Sequence, residues 1–392
     1  VTETEGSSVE SAAASLLPAG FRDILAPNAA NEARLVHRLT SCAISHGYLR
    51  VKPPLIEFET SLLTGPGAAT SGRVFRLMDP MSQRMMGLRA DITSQAARIA
   101  ATRMKNAPRP VRLCYAGEVM RTTANQLNPE REVVQVGVEL IGAASADAEA
   151  EVILLAVEML RTIGVDDISI DLMVPTLVPA VLATLGLPAA TGRALRQAVD
   201  RKDVAEVEAL AGDGAAVLVG LLEATGPREA AMAALAKLDL PADARAALDG
   251  LTAVVDLVMA VEPDITLTLD PAENRGFEYH TGIAFSLFKD GVRAEMGRGG
   301  RYHPNQNHSG AADDTATGFT LYMERVLQAL PDPKAPDTVF VPHGTPHSHA
   351  AAARADGHVT VRGLEPVARA EAEARRMGCT YILRDGTVAP LT

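Results

Sequence analysis

"RPVRLCYAGEVMR", Arg109–Arg121, and "REVVQVGVELIG", Arg131–Gly142, alternate polar and apolar residues on either side of an eleven-residue polar loop, Thr122–Glu132. Alternation with period two marks a strand whose two faces have different surroundings. Two such runs in succession predict an antiparallel pair. Gln135 and Glu139 are four apart on the second strand and therefore point to one face. Strands that pair mostly as hairpins among amphipathic helices define an α+β domain, an antiparallel sheet flanked by helices.

Upstream of this pair, Leu35, Leu39 and Ile44 recur at helical spacing before Gly47. "YLRVKPPLIEF" reads as extended chain interrupted by Pro53 and Pro54, and "RVFRLMD" and "RMMGLR" as short strands joined by a turn at Asp79–Ser82. "DITSQAARIAATRMK" predicts a helix with Asp91 placed to cap its first turn. Downstream, "ADAEAEVILLAVEMLRTIG" predicts an amphipathic helix ending at Gly164, and "DDISIDL" a strand. From about Pro175 to Leu257 the chain becomes Ala- and Leu-rich with helical periods, which predicts an all-helical insertion. Strands resume in "DITLTLD", "GIAFSLF" and "VRAEMGRGG", and "FTLYMERVLQAL" predicts a last helix. After the linker "PDPKAP", strand, helix, strand, helix and strand follow, the order of a small parallel α/β unit. The expected organisation is a flexible tail over 1–15, a main domain of 16–174 with 258–330, an insertion over 175–257, and a C-terminal unit over 331–392.

With 392 residues and 47% hydrophobic content, the chain can bury more than one core. No apolar run approaches the ~20 residues that span a bilayer. The acidic, small-residue N-terminal stretch lacks a signal-peptide pattern, so a cytoplasmic location is expected. Cys42, Cys114 and Cys379 match no metal or redox spacing and read as small buried hydrophobes. A net charge of −11 disfavours an extended nucleic-acid footprint.

Chemistry concentrates on a few polar groups within the strand runs. Glu139 and Gln135 beside Arg121 and Arg275 suit a zwitterion, with carboxylates for an ammonium and arginines for a carboxylate or phosphate. A structural ion-pair network on a half-exposed sheet is the alternative. "GRGGRYH", Gly297–His303, permits close backbone approach to a ligand or simply makes a turn, and fits neither glycine-rich phosphate fingerprint. "PHGTPHSH" carries His343, His347 and His349 with no cysteine nearby, so a solvated helix start is expected rather than a metal site.

Taken together, these pieces resemble class II aminoacyl-tRNA synthetases, specifically histidyl-tRNA synthetase, over about Leu16–Leu330. "RGFEYHTGIAF" resembles that family's histidine-recognition segment, and "GLRADIT" its amine-binding element. "YAGEVMR…VQVGVELIG" is similar to its second motif, and "GGRYH" and "GFTLYMERV" to its glycine turn and third motif. The resemblance implies histidine contacts at Asp91, Thr93, Gln135, Glu139, Arg275, Tyr279, His280 and Tyr302, and ATP contacts at Arg121 and Arg325. It also implies a homodimer built around about Leu39–Phe58.

Several departures bear on chemistry. Thr123 stands where the synthetase has an ATP-reading glutamate, and a hydroxyl is not a fixed anionic acceptor. The loop that follows holds one basic residue, Arg131, between Glu130 and Glu132. Asp91 shortens the amine-binding glutamate, His280 replaces a tyrosine, and the C-terminal unit is about half an anticodon-binding domain. This pattern is similar to the regulatory subunits of ATP phosphoribosyltransferase, paralogues of the synthetase. That similarity implies a non-catalytic chain in histidine biosynthesis that pairs with a short-form catalytic subunit, takes histidine as ligand, and needs no cofactor, metal or tRNA. An active synthetase and a scaffold without histidine binding are the other two readings.

Overall fold

Every second residue of the strand over 132–141 faces a different layer, and this division organises the large unit. The computed structural model describes residues 16–63, 65–123, 129–274, 276, 279–304 and 314–391. The chain divides into a large unit centred on Glu32–Pro331 and a small one centred on Asp332–Thr392.

The large unit runs α1 (Asn28–Ser45), β1 (Leu49–Arg50), β2 (Ile56–Phe58), α2 (Glu59–Leu62), β3 (Arg76–Met78), β4 (Met85–Leu88) and α3 (Thr93–Thr102). It continues through β5 (Val111–Met120), β6 (Glu132–Ile141), α4 (Ala146–Thr162) and β7 (Ile168–Met173). The stretch expected to be an insertion supplies α5 (Leu177–Thr184), α6 (Ala189–Asp200), α7 (Val204–Ala211), α8 (Ala215–Glu223), β8 (Gly226–Pro227), α9 (Arg228–Leu235) and α10 (Ala242–Val261). Then come β9 (Thr266–Leu269), β10 (His280–Lys289), β11 (Gly297–Tyr302), β12 (Ala316–Tyr322) and α11 (Met323–Gln328).

Among the described residues these strands form a nine-stranded sheet ordered β1-β5-β6-β12-β11-β10-β7-β9-β8, and β2, β4 and β3 make a separate antiparallel sheet. The large sheet is antiparallel except where β1 meets β5 and β7 meets β9. The stretch expected to be all-helical thus also supplies an edge strand, because Gly226 and Pro227 pair with Leu269 and Thr268.

One face of the sheet is a dry core. Val136, Val138 and Leu140 of β6 pack with Val152, Leu155 and Met159 of α4, and the same core takes in Phe285 and Leu287 of β10 and Val254 and Val258 of α10. Helix α4 starts cleanly because the Ser145 hydroxyl accepts from the Ala148 amide at 3.3 Å. On the opposite face, Ile92, Leu113, Tyr115, Ile141, Tyr302 and Ala316 form a second, smaller core. Polar side chains of the central strands open onto this second face.

One sequence expectation changes and one open alternative is decided. "FTLYMERVLQAL" is a strand through Tyr322, and helix begins only at Met323. Pairing of β12 between β6 and β11 outweighs the local helical spacing. "GRGGRY" is the strand β11, continuing the strand expected in "VRAEMGRGG", so the turn alternative falls and its glycines serve packing. A Cβ on Gly299 would lie 2.4 Å from the Gly318 carbonyl and 2.6 Å from the Phe285 ring.

Arg89 ties the second face to the chain before it. It is 5% exposed, donates from Nε to the Glu118 carbonyl at 2.7 Å and from Nη1 to the Pro53 carbonyl at 3.1 Å. The extended Pro53–Pro54 segment, which has no amide hydrogens of its own at the prolines, is held by this guanidinium and by Gln95, whose amide reaches the Pro54 carbonyl at 2.8 Å. Arg89→Ala would leave buried carbonyls without a donor, at a cost of about 3 kcal/mol. Urea unfolding should show this as a lower midpoint with an unchanged slope.

In the small unit, β13 (Thr338–Val341), α12 (His347–Ala355), β14 (Val359–Arg362), α13 (Ala370–Arg376), β15 (Tyr381–Arg384) and β16 (Thr387–Pro390) build a sheet ordered β14-β13-β15-β16. The first three strands are parallel as expected, but β16 adds an antiparallel edge. The Asp385-Gly386 turn makes that hairpin, with both residues at positive φ (47° and 83°), a signal present in the sequence as Asp-Gly.

Candidate functional site

Alternate residues of four neighbouring strands converge on the second face: Glu139 from β6, Thr320 and Tyr322 from β12, Arg298 and Tyr302 from β11, and His280 from β10. With Asp91, Thr93 and Tyr279 they line a tight cavity of about 40 Å³, measured to the centre of a water-sized sphere. The floor is the carboxyl of Glu139, which is 1% exposed. Tyr302 donates to its Oε2 at 2.8 Å and Tyr115 to its Oε1 at 3.2 Å. The Tyr115 hydroxyl also meets Thr320 Oγ1 at 2.9 Å and Thr93 Oγ1 at 3.2 Å, so five polar side chains, Glu139 and Tyr302 included, share one network.

Burial pushes the Glu139 carboxyl up to about 8; Asp91 raises it further, while the bond from Tyr302 works in the opposite direction. The three phenols Tyr115, Tyr279 and Tyr302 are likewise held well above their ordinary range, chiefly by burial. Asp91 stands at the start of α3, where its Oδ1 accepts from the Thr93 amide at 2.8 Å. Gln135 is fully buried behind it, donating to Asp91 Oδ2 at 2.9 Å and accepting from the Ile92 amide at 3.1 Å. Tyr279 closes one wall, with its ring 4.0 Å from that of His280 and edge-on to Tyr302 at 6.0 Å.

The glycines leave room for this chemistry. A Cβ on Gly318 would fall 2.0 Å from Glu139 Oε2, one on Gly300 2.5 Å from His280, and one on Gly137 2.5 Å from the Tyr115 hydroxyl. Small residues on adjacent strands thus let large polar groups lie flat against the sheet.

Of the residues implied by the sequence resemblance, Asp91, Thr93, Glu139, Tyr279, His280 and Tyr302 line the cavity. Gln135 acts one layer back, and Arg275 lies outside the described residues. Gln135 and Glu139 are buried, which removes the half-exposed ion-pair network as an account of them. Sequence reading missed Tyr115, Arg298, Thr320 and Tyr322. Tyr115 was findable: it faces Gly137, between Gln135 and Glu139, in the β5–β6 register. Arg298 was hidden inside a glycine-rich run. It lines the cavity and is held by Glu295, whose Oε1 accepts from Nε at 2.9 Å.

The neighbouring region around Arg121 and Arg325 has a different character. Arg121 sits 5.6 Å over the Tyr322 ring, and Arg325 is buried at the start of α11 with Nη1 3.2 Å from Gln328 Oε1. Glu324 is pushed up to about 7 by burial, while Arg121 and Arg325 pull it down and Glu130 adds a smaller upward push. Arg131, the one basic residue of the preceding loop, is turned to the N-terminal segment. Its guanidinium lies 5.0 Å from both the Phe21 and Phe75 rings and donates to the Ala19 and Arg121 carbonyls at 3.2 and 3.1 Å. A cation so occupied is committed to holding the chain together.

All three cysteines are buried and unpaired by disulfide. Among the described residues, only Cys42, His46 and Glu158 bring three potential ligand atoms within 4.8 Å of one another, so His343, His347 and His349 form no such group.

The sheet, its glycine-lined polar face and its strand order define a class II synthetase-like protein of the histidyl type. The histidyl-tRNA synthetase family model matches residues 20–326. A histidyl-tRNA synthetase from a Nostoc species superposes with a TM-score of 0.75 at 16% identity, covering 94% of this chain and 91% of that one. A Bacillus halodurans structure described as an ATP phosphoribosyltransferase regulatory subunit/histidyl-tRNA synthetase gives 0.79 at 23% identity, covering 92% and 96%. At higher identity, the ATP phosphoribosyltransferase regulatory subunit of Paramagnetospirillum magneticum is 54% identical over 97% of this chain and 99% of its own length. That of Rhodospirillum centenum is 52% identical over 95% of each. The chain belongs to the family of ATP phosphoribosyltransferase regulatory subunits.

Two tests follow from the site's geometry. Gly318→Ala should displace the Glu139 carboxyl and cost about 1–3 kcal/mol, read as a lower melting temperature. The raised carboxyl also sets a pH window. The folded state keeps the Glu139 proton to about 8, whereas the unfolded chain gives it up near 4.5. The stability from the neutral carboxyl is therefore full below 4.5 and declines as pH rises to about 8. Glu139→Gln cannot ionise, so its melting temperature relative to wild type should climb through that window and level off above it.

Proposed function

We propose that this chain is the non-catalytic regulatory subunit of an ATP phosphoribosyltransferase, a glycosyltransferase complex of histidine biosynthesis, and that the cavity around Glu139 is its histidine sensor. The observation that carries this reading is the polarity of the cavity. Two carboxyl groups, Asp91 and Glu139, and one guanidinium, Arg298, line the same space. That distribution suits an amino acid with a basic side chain. Asp91 and Thr93 take the ammonium, Glu139 and Tyr302 an imidazole nitrogen, and Arg298 with Arg275 the carboxylate. Tyr279 and His280 supply the flat wall.

The nucleotide side supports the regulatory reading over an active synthetase. Thr123 lacks a fixed charge, Arg131 is engaged elsewhere, and Glu130 and Glu324 place carboxyls where a triphosphate would need cations. Arg121 and Arg325 remain as a vestige of an ATP site. A homodimer around Leu39–Phe58 forms the core of a hetero-oligomer with a short-form catalytic subunit in the cytoplasm, without tRNA. No helix among the described residues is long and apolar enough to cross a membrane. Histidine acts as a regulator if it binds two states of the complex unequally, and a coupling of about 1–3 kcal/mol gives several-fold control.

Co-expression with the short catalytic subunit should raise ATP phosphoribosyl transfer, and added histidine should lower it. Calorimetry should show histidine binding that Arg298→Ala weakens at least tenfold. Histidine-dependent exchange of pyrophosphate into ATP by this chain alone would instead establish an active synthetase.

A further inference from the structure

The small unit has a site of its own, independent of the histidine reading. Its strand order, β14-β13-β15, is that of a doubly wound sheet: from β13 the chain goes out to one edge, then crosses to the other. The two crossover helices cover opposite faces. Ala350 and Ala353 of α12 pack on Val339, Val341 and Leu383, whereas Ala374 of α13 packs on Phe340 and Ile382. Connections that leave neighbouring parallel strands toward opposite faces open a crevice at the strands' carboxyl ends, the place where such sheets bind ligands.

A cavity of about 700 Å³ lies there, against Pro342 and Thr345 after β13 and Arg384 and Asp385 at the end of β15. That volume is in the range of small-molecule sites. Its basic lining is entirely arginine: Arg369 precedes the crossover helix, Arg375 lies in its last turn, and Arg384 is at the end of β15. Three arginine side chains line the crevice against two carboxylates, Glu371, which pairs with Arg384, and Asp385. The unit as a whole carries seven basic and seven acidic residues over 332–392, while the full chain stands at −11. The crevice is thus a local concentration of guanidinium on an otherwise acidic protein.

We propose that this crevice binds a small phosphate ester, with Arg369 and Arg375 as its anchoring residues. Guanidinium forks match phosphate oxygens in pairs, which lysine does not do. Thr345 adds a hydroxyl donor at the same rim. The lining contains no aromatic ring, so recognition centres on the phosphate rather than on a stacked base.

The test titrates the full chain with inorganic phosphate, pyrophosphate and AMP by calorimetry at fixed ionic strength. Saturable binding of at least one probe is expected. It should weaken at least tenfold in Arg369→Ala/Arg375→Ala, and persist both in Arg376→Ala, an adjacent arginine paired with Glu373 outside the lining, and in Arg121→Ala/Arg325→Ala. AMP binding tighter than phosphate assigns a nucleotide, and equal affinity assigns the phosphate group alone. Absence of saturable binding to all three probes overturns the proposal. Equal weakening by Arg376→Ala does so too, because it indicates diffuse charge attraction, and loss in the Arg121/Arg325 variant places the binding in the large unit. These arginines are exposed, so their removal should leave the melting temperature unchanged, which a thermal scan checks.

Discussion

Glu139 is a carboxyl buried against a nine-stranded sheet, and the polar groups of the second face gather around it. An ionised carboxylate in such a place is costly unless partners replace its water. Tyr302 and Tyr115 supply part of that replacement, and their own burial holds their protons on. The rest is met by keeping the carboxyl neutral to about 8. Glycine at 318 is required because any side chain there would occupy the position of the carboxyl oxygen.

This constraint bears on the histidine reading proposed for the cavity. A neutral acid that Asp91 helps to keep protonated would ionise beside a cation, so a basic ligand would gain a charge-assisted partner there. The network Glu139–Tyr115–Thr93 leads from the floor of the cavity to the first turn of α3, and Gln135 ties the same turn to β6. A ligand that reorders these bonds therefore acts on a helix as well as on a sheet.

The region beside the cavity has structural work for its arginines. Arg121 and Arg325 keep their places in the scaffold, where packing on Tyr322 and bonding to Gln328 give them structural roles. Arg131 is clasped between two phenylalanines and takes part in fixing the N-terminal segment.

Residues local to one strand or one turn were legible from the sequence. Period-two alternation placed Gln135 and Glu139 on a common face, and ordered motifs identified the fold because their spacing follows the strands. What the sequence could not decide were matters set by neighbours distant in the chain. "FTLY" is strand because β6 and β11 flank it, and "GRGGRY" is strand because Phe285, Gly318 and His280 lie where side chains would go. The meeting of Arg298, Tyr115 and Thr320 at one cavity depends on strands up to 205 residues apart. Sequence by itself determined the periodicities and the class of fold, since these reflect short-range geometry. Tertiary structure decided which polar groups are buried together, because burial is a property of all the strands packed around a side chain.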